Sequence, residues 1–180
     1  MRSPDASLAK DIFDLAYVTG RFRLRSGVIA FEYFDKYRFE ADPRVLRQIA
    51  ERMAEFVPEG TEALAGLEMG GIPIATMLSQ VTGLPALFVR KKAKDYGTCK
   101  FAEGGEVRGR KLLIVEDVVT SGGQIIDSVK ALRDEGAIID QDVCVIDRES
   151  GGPENLRREG LTLKALFTMS DLKRAVGTEP

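Results

Sequence analysis

The stretch Leu112-Leu113-Ile114-Val115-Glu116-Asp117-Val118-Val119-Thr120-Ser121-Gly122-Gly123 decides the reading of this chain. Residues 112 to 115 are a continuous run of branched apolar side chains, which suits a strand buried on both faces of a parallel sheet. From Gln124 onward Ile125, Ile126, Val129 and Leu132 recur at helical spacing, so the pattern predicts a strand feeding a helix through Thr120 to Gly123. Such a turn suits a phosphate. The first N–H groups of a helix have no intrahelical partner, glycines let an anion approach them, and Thr120 and Ser121 add hydroxyl donors. Glu116 and Asp117 would repel that phosphate, and sugar hydroxyls or a divalent cation would resolve the conflict. The competing reading is an ordinary strand-to-helix turn with Thr120 or Ser121 as the cap and two solvated acids. The stretch lacks the Gly-Lys-Ser/Thr of a Walker loop and the Gly-x-Gly-x-x-Gly of a dinucleotide site.

Strand and helix signals alternate on both sides of it. Residues 6 to 18 carry Leu8, Ile12, Leu15 and Ala16 on one stripe, closed by Gly20. Phe22 to Leu24 and Phe31 to Asp35 read as short strands around the Arg25-Ser26-Gly27 turn. Asp42 caps a helix that has Pro43 in its first turn and Val45, Leu46, Ile49, Ala50 and Met53 on its buried face. Ala63 to Leu67 is a strand, Gly70-Gly71 leads to a helix from about Pro73 to Thr82, and Ala86 to Arg90 is the next strand. Residues 91 to 109 show no apolar period, which predicts a flexible functional loop or a loose hairpin. Asp142 to Ile146 is a strand, Pro153 to Glu159 a short helix, and Leu161 to Phe167 a last strand before a polar tail. This order predicts an α/β fold with a central parallel sheet flanked by helices.

Composition narrows the classes. At 180 residues the chain suits one domain with a substantial core. A net charge of −2 with 30% charged residues gives no global basic field, so neither nucleic acid nor a membrane surface is expected as partner. Any anion site must be local. Cys99 and Cys144 supply no disulfide framework or metal-ligand spacing, and the absence of histidine excludes a His-based triad or zinc site. The amino-terminal stretch reads as neither a secretory signal nor a membrane span, and a cytoplasmic protein is expected.

In a parallel sheet, ligands gather beyond the carboxyl ends of the strands. Four further segments carry chemistry suited to that place. In Leu67-Glu68-Met69-Gly70-Gly71-Ile72-Pro73 the N–H groups of Met69, Gly70 and Gly71 can receive a diphosphate, although a glycine turn chosen for packing reads the same way. Arg90-Lys91-Lys92-Ala93-Lys94 puts four cations in five residues at the mouth of the apolar-free loop. Such a run clamps a leaving diphosphate or is merely a solvated face. Leu24-Arg25-Ser26-Gly27 with Tyr33 and Phe34 reads either as an ordinary hairpin or as part of a base site. Arg148, in Asp147-Arg148-Glu149, is either a surface ion-pair partner or a carboxylate receptor.

Val115 to Gly123 resembles the phosphoribosyl-diphosphate (PRPP) motif of the type I phosphoribosyltransferases, and the resemblance extends over nearly the whole chain. It implies that family's fold in a single domain spanning 1–180, with a small N-terminal hood at about 1–40 and a flexible catalytic loop at about 91–109. It implies ribose contacts for Glu116 and Asp117, and 5-phosphate contacts for Val119, Thr120, Ser121, Gly122 and Gly123. Met69, Gly70 and Gly71 take the place of the diphosphate loop, without the lysine that some orotate enzymes have near Gly70. Arg90 to Gly97 is similar to the loop Arg-Lys-x-Ala-Lys-Asp-His-Gly of the orotate phosphoribosyltransferase branch. There Lys94 matches the lysine that stabilises the departing diphosphate, supported by Arg90 and Lys91. Tyr96 replaces the histidine, keeping a hydrogen-bond donor and losing its charge. Arg25 stands for a lysine that touches both substrates, Tyr33 and Phe34 for an aromatic pair lining the base site together with Thr120, and Arg148 for the arginine that binds the orotate carboxylate.

The implied reaction transfers phosphoribosyl from PRPP to orotate, giving orotidine 5′-phosphate and diphosphate in pyrimidine biosynthesis. Mg²⁺ is the implied cofactor, held mainly by PRPP and water with no direct protein ligand. Orotate's ring nitrogen is acidic and needs no strong base, and Asp117 is a candidate proton relay. A homodimer is implied because the family's loop acts across subunits. A purine or other base as acceptor, or a non-catalytic PRPP sensor, are the alternatives. Orotate leads because the loop and Arg148 match together.

Overall fold

Alternation along β-strands sends Leu112 and Ile114 to one apolar cluster and Leu113 and Val115 to the other, so the strand that carries them lies between two cores. The computed structural model describes residues 5–23, 27–92 and 100–178. In chain order the elements are α1 (Ala6–Ala16), β1 (Tyr17–Arg23), β2 (Ile29–Phe34), α2 (Tyr37–Glu40), α3 (Pro43–Met53), β3 (Ala63–Leu67), α4 (Gly71–Thr82), β4 (Ala86–Val89), β5 (Ala102–Glu103), β6 (Leu112–Val119), α5 (Gly123–Asp134), β7 (Gln141–Asp147), α6 (Gly152–Arg158), β8 (Thr162–Thr168) and α7 (Met169–Ala175). A single 3-10 turn, Ala54–Phe56, extends α3.

Six strands form one sheet in the order β5-β4-β3-β6-β7-β8, parallel except for β5, which runs antiparallel to β4. This is the expected α/β sheet flanked by helices. Helices α1, α3, α4 and α7 cover one face through Ile12, Ile49, Leu78 and Leu172, and α5 and α6 cover the other through Ile125, Val129 and Leu156. Each such side chain contributes about 1.5–3 kcal/mol by leaving water. The sheet thereby fixes where the carboxyl ends of β3, β4, β6 and β7 meet. Among the described residues, no helix is long and apolar enough to cross a membrane.

Several boundaries differ from the sequence expectation. α1 ends at Ala16, and Gly20 lies inside β1, where Phe22 packs over it. The strand starts at once because Tyr17 stacks on Phe13 at 4.8 Å and pairs with Phe34 across the hairpin. β1 and β2 form a separate antiparallel sheet, longer than the expected Phe22–Leu24 and Phe31–Asp35. Part of the 91–109 segment is ordered structure: Ala102 is buried and pairs with Val89, and Arg90 N–H donates to Phe101 O at 3.0 Å. The polar tail after β8 is helical. Thr168 and Asp171 form a capping box at its start, and Leu172 anchors it in the core, so a readable Thr-x-x-Asp signal stood in the sequence. α2 also escaped the periodicity analysis, because four residues are too few to show a period.

Asp142 sits inside β7, fully buried, and neither carboxyl oxygen has a hydrogen-bond partner. Burial pushes its pKa up from 3.8 to about 7. The unfolded chain therefore loses this proton at lower pH than the folded chain, so the group costs no stability below 3.8 and progressively more as pH rises to about 7. Asp142→Asn is expected to raise the melting temperature at about pH 8 and to leave it nearly unchanged at about pH 4, as read by scanning calorimetry. An equal shift at both values would contradict a buried, proton-holding carboxyl.

Candidate functional site

β6 continues through Glu116 and Asp117 to Val119, so the two acids are strand residues and not loop residues. Glu116 is 7% exposed and Asp117 is fully buried. The alternative of two solvated acids is thereby excluded. The other half of that alternative fails as well: the N-cap of α5 is Gly122, at φ 78, with no side-chain cap from Thr120 or Ser121. Gly122 is required there, since a Cβ would meet Leu156 at 3.0 Å in a left-handed backbone that other residues rarely adopt. Thr120, Ser121 and Gly123 are exposed around the start of a twelve-residue helix, while Val119 is buried beneath them. The first turn of α5 therefore offers N–H groups and the positive end of a helix dipole to an anion.

Three other elements close on Asp117. Lys36 Nζ, just before α2, lies 2.6 Å from Asp117 Oδ2. Glu40 at the end of α2 is 6% exposed and approaches the same carboxylate. Gly70 lies against both: a Cβ there would stand 1.6 Å from Asp117 Oδ2 and 3.0 Å from Glu40 Oε1. Val118 N–H donates to Asp117 Oδ1 at 2.5 Å. Burial alone would raise the pKa of Asp117, but hydrogen bonds from Glu116 and Glu40 and the Lys36 ammonium outweigh it and hold the group below its ordinary value. Its neighbours hold the protons instead. Burial, with hydrogen bonding to Asp117 and repulsion by its charge, pushes Glu116 well above the usual carboxylate range and Glu40 up to about 9.

The remaining loops are tied to this centre. Gln124 Nε2 at the start of α5 donates to Glu68 O at 3.0 Å, and Lys91 N–H donates to Glu68 Oε1 at 2.6 Å. Glu68 thus joins the turn before α4, the start of α5 and the end of β4. Within that turn Gly70 and Gly71 are buried, Met69 is 59% exposed, and the Glu68–Met69 peptide is cis. Lys91 is exposed beside it, and Arg90 is half-buried with Nε 3.9 Å from Glu103. On the other side, Arg148 N–H donates to Val119 O at 2.8 Å, which sets the arginine next to Thr120. A cavity of about 440 Å³ is lined by Thr120, Val118, Arg148, Lys36, Glu32 and Phe34, with Tyr33 at its margin. Of the candidate residues, Glu116, Asp117, Val119 to Gly123, Met69 to Gly71, Arg90, Lys91, Tyr33, Phe34 and Arg148 are therefore placed around one region. Arg25, Lys94 and Tyr96 lie outside the described residues.

Sequence reasoning missed Lys36, Glu40, Glu32, Glu68 and Gln124. Lys36 and Glu40 are four residues apart in Asp35-Lys36-Tyr37-Arg38-Phe39-Glu40, a spacing common to any surface helix. Phe39 at 0% exposure was the available signal that this segment turns inward. The assembled region offers an uncapped helix start for a phosphate, buried acids for hydroxyl groups, and an arginine beside aromatic rings for a planar anion.

A family model for the phosphoribosyl transferase domain matches residues 38–157. The chain is 53% identical over 171 residues to an orotate phosphoribosyltransferase from Nocardioides sp., covering 95% of this chain and 96% of the relative. It is 44% identical over 153 residues to the orotate phosphoribosyltransferase of Methanocella arvoryzae, covering 85% and 87%. The crystal structure of Mycobacterium tuberculosis orotate phosphoribosyltransferase in complex with PRPP superposes with a TM-score of 0.81 at 30% identity, covering 94% of this chain and 99% of that one.

The contact of Gly70 with Asp117 is open to direct test. Gly70→Ala forces either the turn or the carboxylate to move, at about 1–3 kcal/mol for overpacking in a dense interior. A fall of roughly 2–10 °C in melting temperature with an unchanged circular dichroism spectrum is expected. An unshifted melting curve would contradict the contact.

Proposed function

The chain belongs to the phosphoribosyl transferase family, in its orotate branch, and we infer that it transfers the phosphoribosyl group of PRPP to orotate, releasing orotidine 5′-phosphate and diphosphate. The observation that carries this reading is the uncapped start of α5 beside the buried acids of β6, with Arg148 bonded to the same strand end and lining a cavity of about 440 Å³. In this proposal the 5-phosphate sits on Thr120 to Gly123 and the ribose hydroxyls face Glu116 and Asp117. The diphosphate lies against Met69 to Gly71 with Arg90 and Lys91. Orotate enters between Phe34, Tyr33 and Thr120, with its carboxylate on Arg148, and Arg25 is assigned to the same substrate.

Departure of diphosphate leaves positive charge on the ribose and gathers negative charge on the leaving group, so the chemical task is electrostatic. Lys94 is assigned to the departing oxygens, with Arg90 and Lys91 beside it and Tyr96 as a neutral donor. The donor set beside the ribose is carboxylate oxygen, hard chemistry that fits Mg²⁺, and we assign the ion to PRPP oxygens and water. When bound, Mg²⁺ supplies charge neutralisation on the diphosphate. Asp117, ionised and held from four sides, is suited to fixing the ribose orientation, and a proton-relay role is secondary to that. The proposal extends to a cytoplasmic homodimer in which the 91–109 segment of one subunit serves the site of the other.

Diphosphate release from PRPP, Mg²⁺ and orotate is the deciding assay, with uracil, adenine and hypoxanthine in parallel. Release with orotate alone is expected, and release only with another base would overturn the acceptor. Lys94→Ala should lower kcat by about 10²–10³ with the fold intact, the usual loss on removing one transition-state donor. Arg148→Ala should act mainly on the KM for orotate, by roughly 10–100-fold, as loss of a charged hydrogen bond predicts. Mixing two inactive variants, Lys94→Ala and Asp117→Asn, should restore activity where the loop crosses between subunits, and persistent inactivity of a mixed dimer would confine each loop to its own site.

A further inference from the structure

A carboxylate as deeply buried as Asp117 is costly unless something compensates it. Lys36 supplies one ammonium at 2.6 Å. Three carboxyl groups nevertheless meet there, Glu116 and Asp117 from β6 and Glu40 from α2, with Asp35 also close to Glu40. If all were ionised, one cation would face several anions in a low-dielectric pocket. Glu40 Oε1 is buried and has no hydrogen-bond partner, and it lies within 3.0 Å of the point beside Gly70 that Asp117 Oδ2 also approaches. A proton on Glu40 satisfies both oxygens at once: the neutral acid donates and the Asp117 carboxylate accepts.

We propose that Glu40 is a positioning residue for PRPP recognition, a neutral acid whose hydrogen bond, with the Lys36 ion pair, holds Asp117 ionised and fixed beneath the ribose site. This rests on the phosphoribosyl-transfer reading given above. The raised pKa of Glu40, about 9, agrees with a group that keeps its proton at neutral pH. The geometry also explains why α2 matters to a site built at the end of β6. Phe39 is fully buried and packs 6.5 Å from Phe34, so the short helix is locked in place and delivers Lys36 and Glu40 from its two ends. Gly70 completes the enclosure by leaving no side chain between the diphosphate turn and the carboxyl pair. The residue therefore couples three substrate-facing parts: the acids on β6, the turn before α4, and the hairpin segment that lines the acceptor cavity.

The test separates a hydrogen-bond donor from a space-filling residue. Glu40→Gln keeps shape and a donor, whereas Glu40→Leu keeps bulk and removes it. PRPP–Mg²⁺ affinity measured by calorimetry should stay within about threefold of the unchanged protein in Glu40→Gln and weaken by about tenfold or more in Glu40→Leu, the scale of one charge-assisted hydrogen bond. With Glu40→Gln the KM for PRPP should likewise be preserved. Equal affinity in Glu40→Leu and the unchanged protein overturns the proposal, as does a Glu40→Gln protein as impaired as Glu40→Leu. Should Glu40→Leu fail to fold, Glu40→Gln against Glu40→Ala gives the same comparison. The binding readout is independent of the acceptor, so absence of turnover with orotate in the unchanged protein would count against the function and not against Glu40.

Discussion

The rest of the site depends on one electrostatic constraint, a carboxylate placed where water does not reach. Asp117 is fully buried in a strand whose other residues, Glu116 apart, are apolar, and removing the partner of such a buried ion costs about 3–5 kcal/mol. Its compensation comes from outside the sheet. Lys36 arrives from the segment between the hairpin and α3, and Glu40 follows one helical turn later. The hairpin formed by β1 and β2 is a separate sheet, and the Lys36–Asp117 pair is one of the bonds that fixes its exit to the main sheet. A charge needed by the site thus also docks the part of the chain that covers it.

The same constraint explains the glycines at the turn before α4. Gly70 stands against Asp117, and Gly71 lies against Val115 O, where a Cβ would come within 2.2 Å. The turn is pressed onto β6 and encloses the acids. In the proposed function anion recognition is assembled from dipoles and a few local cations, with no help from overall charge, which is −2. Glu68 adds the final link. Its backbone carbonyl accepts from Gln124 and its side chain from the N–H of Lys91, so this acid bonds the loops together.

The elements that bury regular apolar patterns were legible in the sequence. β3 was read to the residue, Asp42 caps α3 through Arg44 and Val45 as expected, and the β6-to-α5 transition was displaced by only one residue. Elements held by one anchor and by end effects were not legible. α2 depends on Phe39, β5 on two residues paired with β4, and α7 on Leu172 with a capping box. At the candidate site, residue types with a chemical signature were singled out in the sequence, among them Glu116, Asp117, Arg148 and the glycines, and the fold brings them into one region. Lys36 and Glu40 were not, because a lysine and a glutamate in a charged segment look alike whether they face water or a buried carboxylate. Their role follows from three-dimensional proximity across 77 residues of chain in the case of Glu40 and Asp117, which no local pattern encodes.

The proposed function divides recognition of the two substrates between neighbouring strands. The turn that begins at Thr120 leaves β6 at Val119, and Arg148 stands one residue past Asp147 at the end of β7, its backbone bonded to Val119 O. Glu149 then takes a positive φ of 56 and accepts from both the N–H and the hydroxyl of Ser170 at the start of α7, which fixes the turn that presents the arginine. An unfavourable backbone conformation of this kind costs about 1–3 kcal/mol and persists only where surrounding bonds determine it. Here those bonds come from the C-terminal helix, whose opposite contact is α1. The backbone of Arg148 and the turn that follows Val119 are therefore bonded side by side at the ends of adjacent strands, which in the proposed function sets the carboxylate receptor next to the phosphate cradle. In the proposed function an acceptor that bears its carboxylate near the nucleophilic nitrogen matches this juxtaposition, and a planar guanidinium suits that carboxylate better than a lysine would.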